Sequence, residues 1–216
     1  MAGSGFEGLI AGNTLVSYDG VPRQSRDDIA DMLMYADFFA SQSYRRHEFW
    51  TSWLDYYRSQ LVKVGCRLEA LITKEPMVIS DASELDEISF IIKGSVPVDN
   101  LIALTQRSMV MVRLDEFAES FFQYGAGSSA VNGFQIVPCV ENAKTGKVHL
   151  LLCSLHVSTS VESDNRGGSW RTNREMIVRL GGGVYSFDSK AYELHRDRIR
   201  TRLQQVARFN IRHISV

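Results

Sequence analysis

The segment His149-Leu150-Leu151-Leu152-Cys153-Ser154-Leu155 constrains the fold more than any other part of the chain. Successive side chains of a strand point to opposite faces, so a half-exposed strand alternates apolar with polar residues. This run is apolar on both faces through its middle. It therefore fits a central strand covered on both sides better than an exposed hairpin arm. The surrounding sequence supplies the partners. Phe134–Val140 predicts one strand, and Lys147–Ser158 predicts the strand that contains the run. Glu141-Asn142-Ala143-Lys144-Thr145-Gly146 joins them with turn chemistry. Glu175–Leu180 predicts a third strand, ended by Gly181-Gly182-Gly183. Arg67–Ile72 and Met77–Ile79 predict two more, separated by Lys74-Glu75-Pro76.

Covering layers come from helices. Ile29, Met32, Leu33, Ala36 and Ala40 recur at helical spacing and predict a helix over 26–42, with Ser25 as its cap. A second helix is predicted over 45–64. Its stripe Trp50, Trp53, Leu54, Tyr57, Leu61 and Val64 buries large aromatic area, and Gly65 terminates it. Apolar residues between 97 and 124 predict one long or two short helices. The last helix is predicted over 188–208, capped by Ser186 or Asp188, with Tyr192, Ile199, Leu203 and Val206 inside. Residues 1–24, with five glycines and Pro22, read as a flexible N-terminal segment. The polar stretch 160–173 reads as a surface loop, and 125–133 as a small-residue turn.

The expected architecture is thus α+β. A single domain over 25–216 packs N-terminal helices and a C-terminal helix on a small, mainly antiparallel sheet. The order helix–strand–helix, then strand–strand–strand–helix, admits two intertwined related halves, although no internal sequence repeat accompanies it.

Charge and composition exclude several functions. With 24 Lys+Arg against 25 Asp+Glu, the formal net charge is -1, so a dominant nucleic-acid surface is not expected. Residues 189–216 depart from this balance, with seven Lys or Arg against two Asp or Glu. Arg196, Arg198, Arg200, Arg202 and Arg208 are read as a basic outer surface. A solvated helix face explains it, and so does contact with an anionic membrane or a nucleic acid. No cleavable signal peptide and no apolar run long enough to span a bilayer is visible. The default location is the cytoplasm, with any export following a non-classical route.

Catalytic motifs are not found. The three cysteines, Cys66, Cys139 and Cys153, form no CxxC pair, so no metal site is expected. The sequence has no G-x-S-x-G elbow and no HExxH helix. His149 and His156 fall on opposite faces of one strand. Cys153 shares a face with His149, but four strand residues separate Cα atoms by about 13 Å.

Three segments, FWTSWLDYYRSQLVKVGC, GFQIVPCVENAKTGKVHLLLCSLHVS and YELHRDRIRTRLQQVARF, resemble a poorly characterised group of bacterial and fungal proteins. The pattern W-x-x-Y…L-x-x-(I/V)-G-W runs through that group, and Cys66 stands where its last Trp is expected. In size and helix–sheet organisation the chain also resembles the Evf-type bacterial virulence factors. That resemblance implies an α+β fold of intertwined, roughly symmetric motifs and a fatty acyl chain on a buried cysteine.

Two expectations follow. The first is a non-enzymatic virulence-associated or host- or membrane-directed factor, with a fatty acid as its one ligand and an anionic membrane or a host protein as partner. Cys153 is the leading attachment candidate because Leu151 and Leu155 flank it on its own face; Cys139 and Cys66 follow. The alternative is an intracellular enzyme or interaction module with a pocket near Cys139, Cys153 and His156.

Overall fold

The computed structural model describes residues 7–11, 13–73, 75–79, 91–93, 99–114, 131–160, 175–205 and 211–215. In chain order the elements are β1 (Glu7–Ala11), β2 (Thr14–Asp19), α1 (Arg23–Ser43), α2 (Trp50–Lys63), β3 (Cys66–Thr73), β4 (Met77–Ile79) and β5 (Ile91–Lys93). Then follow α3 (Asp99–Leu114), β6 (Val131–Glu141), β7 (Val148–Ser160), β8 (Glu175–Phe187), α4 (Ser189–Gln205) and β9 (Ile211–Ser215). This is the expected α+β class.

The nine described strands form one sheet in the order β5-β3-β8-β7-β6-β2-β1-β9, with β4 also paired to β8. It is broader than the small sheet predicted from residues 134–180. Every pairing is antiparallel except β2 on β6, where Thr14–Asp19 run alongside Gln135–Val140. The N-terminal segment read as flexible is therefore built into the sheet from Glu7 onward. Leu15 and Val16 are each 1% exposed, so β2 buries both of its faces.

β7 lies between β6 and β8, as its apolar run requires. Leu150 and Leu152 join the layer beneath α1, α2 and α4, together with Trp53, Tyr57, Tyr185 and Tyr192. Leu151, Cys153 and Leu155 point to the other face, where they are also buried. On that face Ser17 of β2 and Ser108 of α3 share a 2.8 Å hydrogen bond.

α2 buries the predicted aromatic stripe, and Trp53, Tyr57, Leu61 and Val64 are fully enclosed. Asp188 caps α4, its carboxylate accepting from the Lys190 and Ala191 amides. Ser25 does not cap α1; the helix begins after Pro22, two residues earlier than Ser25. The triple glycine does not end β8 either, which continues to Phe187. Its glycines admit three neighbours. A Cβ at Gly181 would meet Leu54 and Trp50 of α2, one at Gly182 would sit on the Leu152 carbonyl oxygen, and one at Gly183 would lie 2.5 Å from the Ala70 carbonyl oxygen. Gly182 has φ +143°, a conformation closed to other residues. The expectations for 161–173, 115–124, 125–130 and Val206 lie outside the described residues, while Ser160 ends β7 and residues 131–133 begin β6 rather than forming a turn.

Candidate functional site

The sheet separates the three thiols. Cys66, the first residue of β3, packs its Sγ 3.4 Å from the Met32 sulfur of α1. Cys139 of β6 contributes to the same helix-covered layer, with its Sγ 3.6 Å from the Val137 carbonyl oxygen. Cys153 of β7 stands on the opposite face, in register with Ile136 on one side and Gly182 on the other. All three are free and buried. Burial pushes each thiol up, that of Cys153 to about 12. The thiolate is the nucleophile, so in this packed state all three are chemically quiet.

This arrangement corrects the expected pocket near Cys139, Cys153 and His156. His156 lies on the helix-covered face, where its ring stands 5.3 Å from that of Trp50. Cys153 faces away from it. Cys139 shares its face but pairs with Leu150, six residues along β7 from His156, or about 20 Å at the strand rise. Sequence alternation separates 153 from 156; the register of β6 on β7 decides where 139 falls.

The basic helix is divided as well. Arg196 and Arg200 turn inward to α1. Arg196 forks onto Asp28, with Nε–Oδ1 at 2.9 Å and Nη2–Oδ2 at 2.8 Å. Arg200 donates to Asp31 at 3.0 Å and reaches Asp28 at 3.4 Å. Burial raises the Asp31 carboxyl, and Arg200 partly offsets this. Both charges are paired with the acids of α1, Arg196 with its side chain 21% exposed and Arg200 with its side chain still 41% exposed. Arg198 and Arg202 do face solvent, near Leu194, which is 84% exposed. Arg208 lies outside the described residues.

Two polar clusters escaped the sequence. In the first, Ser186 of β8 donates to Glu69 at 2.7 Å and is in register with His149 of β7. Glu69 occupies the bulge of β3 between Leu68 and Ala70. The composition suggests nucleophilic catalysis, but the serine hydrogen is directed at the carboxylate rather than the imidazole. Strands pair with Ser186 on both sides, so nearby backbone N–H groups are committed to ladders instead of an oxyanion hole. The second cluster gathers Asp37, Arg46, Trp50, Trp53, Tyr57 and His156 between the start of α2 and the sheet. Arg46 lies 4.1 Å above the Trp53 ring and 3.6 Å from the Asp37 carboxylate. Arg46 Nε and Nη2, Tyr57 OH and His156 Nδ1 are buried without a hydrogen-bond partner. The aromatic stripe names Trp50, Trp53 and Tyr57, and His156 enters only through the alternative pocket; nothing in the sequence points to Asp37 or Arg46.

Among the described residues, no group of three or more His, Cys, Asp or Glu is placed to hold a metal ion. No helix among them is long and apolar enough to cross a membrane.

No protein-family model and no curated protein matches the chain. Two solved structures are similar to it in outline. A delta-endotoxin is 12% identical, with 81% of each chain covered and a TM-score of 0.44. A structure of the Evf virulence factor is 11% identical, covering 91% of this chain and 82% of its own, with a TM-score of 0.38. Likeness at this level bears on no individual residue.

Proposed function

We propose that this protein is a non-enzymatic, virulence-associated factor directed at a host or membrane target, which carries a fatty acyl chain on Cys153. The virulence-factor part rests on the resemblance of the chain, in size and helix–sheet organisation, to the Evf-type factors. The lipid part rests on one observation: Cys153 is fully buried on an apolar face of β7. Ile136, Leu151, Leu155 and Val184 surround that position. A chain there exchanges water for hydrocarbon at about 0.8 kcal/mol per CH₂.

The attachment is a thioester. The cysteine sulfur attacks the carbonyl of an activated acyl donor, the thiol proton departs with the donor's leaving group, and the acyl group stays on sulfur. A thiol held near the top of its range inside the sheet does not perform this step, so acylation precedes closure of the fold. Contact with an anionic surface falls to the outward face of α4, where Leu194, Arg198 and Arg202 are exposed.

Intact-protein mass spectrometry on material from the native cell, before and after hydroxylamine, tests the acyl group. The reading expects a fatty-acyl mass that hydroxylamine removes and that Cys153→Ser abolishes. A bare-chain mass overturns it; loss in Cys139→Ser or Cys66→Ser alone moves the attachment to that thiol and overturns the assignment to Cys153.

A further inference from the structure

We propose that the connection between α1 and α2, residues 44–49, is a latch bolted by the single inserted side chain of Arg46 and poised to swing away from the sheet. This stands apart from the acyl reading and does not depend on it.

The connection is otherwise superficial. Tyr44, Arg45, His47, Glu48 and Phe49 are all exposed. Most of its hydrogen bonds are local: Tyr44 N–H donates to Ala40, and the Glu48 and Phe49 amides donate to the Arg45 carbonyl. One bond, between the His47 backbone and the His156 ring, reaches β7. Arg45 and Glu48 pair with each other at 3.0 Å. Arg46 alone enters the body, and its side chain is 12% exposed.

The seat is shaped for it. A Cβ on Gly133 of β6 would lie 2.7 Å from Arg46 Nε, so only glycine leaves room. His156, in register with Gly133, lines the same spot from β7. Trp53 provides the aromatic floor.

Yet the bolt is poorly satisfied. A buried guanidinium normally spends its N–H groups on acceptors, because an unmet buried donor costs free energy. Arg46 makes one ion pair, to Asp37, at a distance beyond a hydrogen bond, and both its Nε and Nη2 are orphaned. Burial also lowers the affinity of Arg46 for its proton. Withdrawal surrenders the stacking on Trp53 and the His47–His156 bond but restores water to the charge, so closed and open states lie near each other. Low-cost local opening of this kind is what hydrogen exchange detects.

The test is amide exchange on the whole chain. The Trp53 amide, which donates to the Phe49 carbonyl at 2.9 Å, reports the latch. The Leu151 amide in β7 reports global unfolding. In the native protein Trp53 should exchange at least about 100-fold faster than Leu151. Arg46→Met keeps an apolar body over Trp53 and removes the orphaned donors, so it should slow Trp53 about tenfold relative to Leu151. Gly133→Ala should speed it by a similar factor. Equal protection of Trp53 and Leu151 in the native protein overturns the latch, as does Arg46→Met leaving their ratio unchanged or raised. Should Gly133→Ala fail to fold, the other two measurements decide.

Discussion

Asp28 and Arg196, separated by 168 positions, meet in a two-pronged ion pair that ties α1 to α4. The aspartate side chain is 1% exposed and that of the arginine 21%. Gln24 and Arg200 add contacts to the same carboxylate, so no oxygen is left bare. Removing one partner of such a pair strands a buried charge or vacates its site.

Asp28→Ala should therefore lower stability by about 3 kcal/mol. Arg196→Met should cost less, because Arg200 still reaches Asp28. Joining Asp28→Leu to Arg196→Met should recover most of the loss, since an apolar pair has no charge to desolvate. Urea denaturation of the three variants checks this. A double variant weaker than both singles would mean that the ion pair itself stabilises the fold.

The glycine run of β8 predicts a sharp contrast. Gly182→Ala drives a Cβ onto the Leu152 carbonyl oxygen and demands a positive φ, so it should cost more than about 3 kcal/mol. Gly146→Ala, in the β6–β7 turn, meets nothing within 4 Å and pays only for its φ of +64°. Its cost should stay near 1 kcal/mol. Thermal melts of the two variants, run together, make the comparison.

Arg198→Gln with Arg202→Gln should change stability by less than about 0.5 kcal/mol, because both side chains are exposed. Arg202 does sit 5.4 Å from the Phe38 ring, a minor contact. Sedimentation with anionic vesicles should weaken in the double variant and lose its dependence on salt. Vesicle binding that is unchanged would take α4 out of the mechanism.

His156 predicts a pH effect. Burial, then Arg179 and Arg46, hold its imidazole below the ordinary value, with the His47 backbone acting in the opposite sense. The unfolded chain therefore binds the proton more readily than the folded one. Stability from the neutral ring is complete above about pH 6.5 and falls away as the pH drops below it toward the folded value. Urea midpoints at pH 7.5 and 5.5 should differ less in His156→Gln than in the native protein. His149, also lowered by burial, keeps some of the slope in the variant.

The helices were legible because their evidence is local. Ile29 to Ala40 and Trp53 to Val64 repeat within one or two turns, and burial follows the repeat. β2 was not legible, because nothing near Thr14–Asp19 announces a partner at Gln135–Val140. Its glycine-rich surroundings look like a loose tail when read alone. Gly181–Gly183 misled for a related reason: what they accommodate is α2, β7 and β3, none of them adjacent in sequence. Nothing local marks Arg196 and Arg200 as paired, because their acids lie on α1. For the site, alternation put Cys153 and His156 on different faces, but the burial of Arg46 depends on Gly133, which no spacing rule links to it.

The parallel pairing of β2 with β6 sets a timetable for synthesis. The chain emerges from the ribosome with β1 and β2 first, yet the strand that shields β2 toward the sheet centre is made more than a hundred residues later. Until then an apolar edge carrying Leu15 and Val16 has no native neighbour on that side. Distant pairing of this sort slows folding and leaves nascent edges open to wrong partners. A ribosome-stalled fragment that stops short of β6 should therefore bind chaperones that favour extended apolar segments. One that extends past β7 should let go of them.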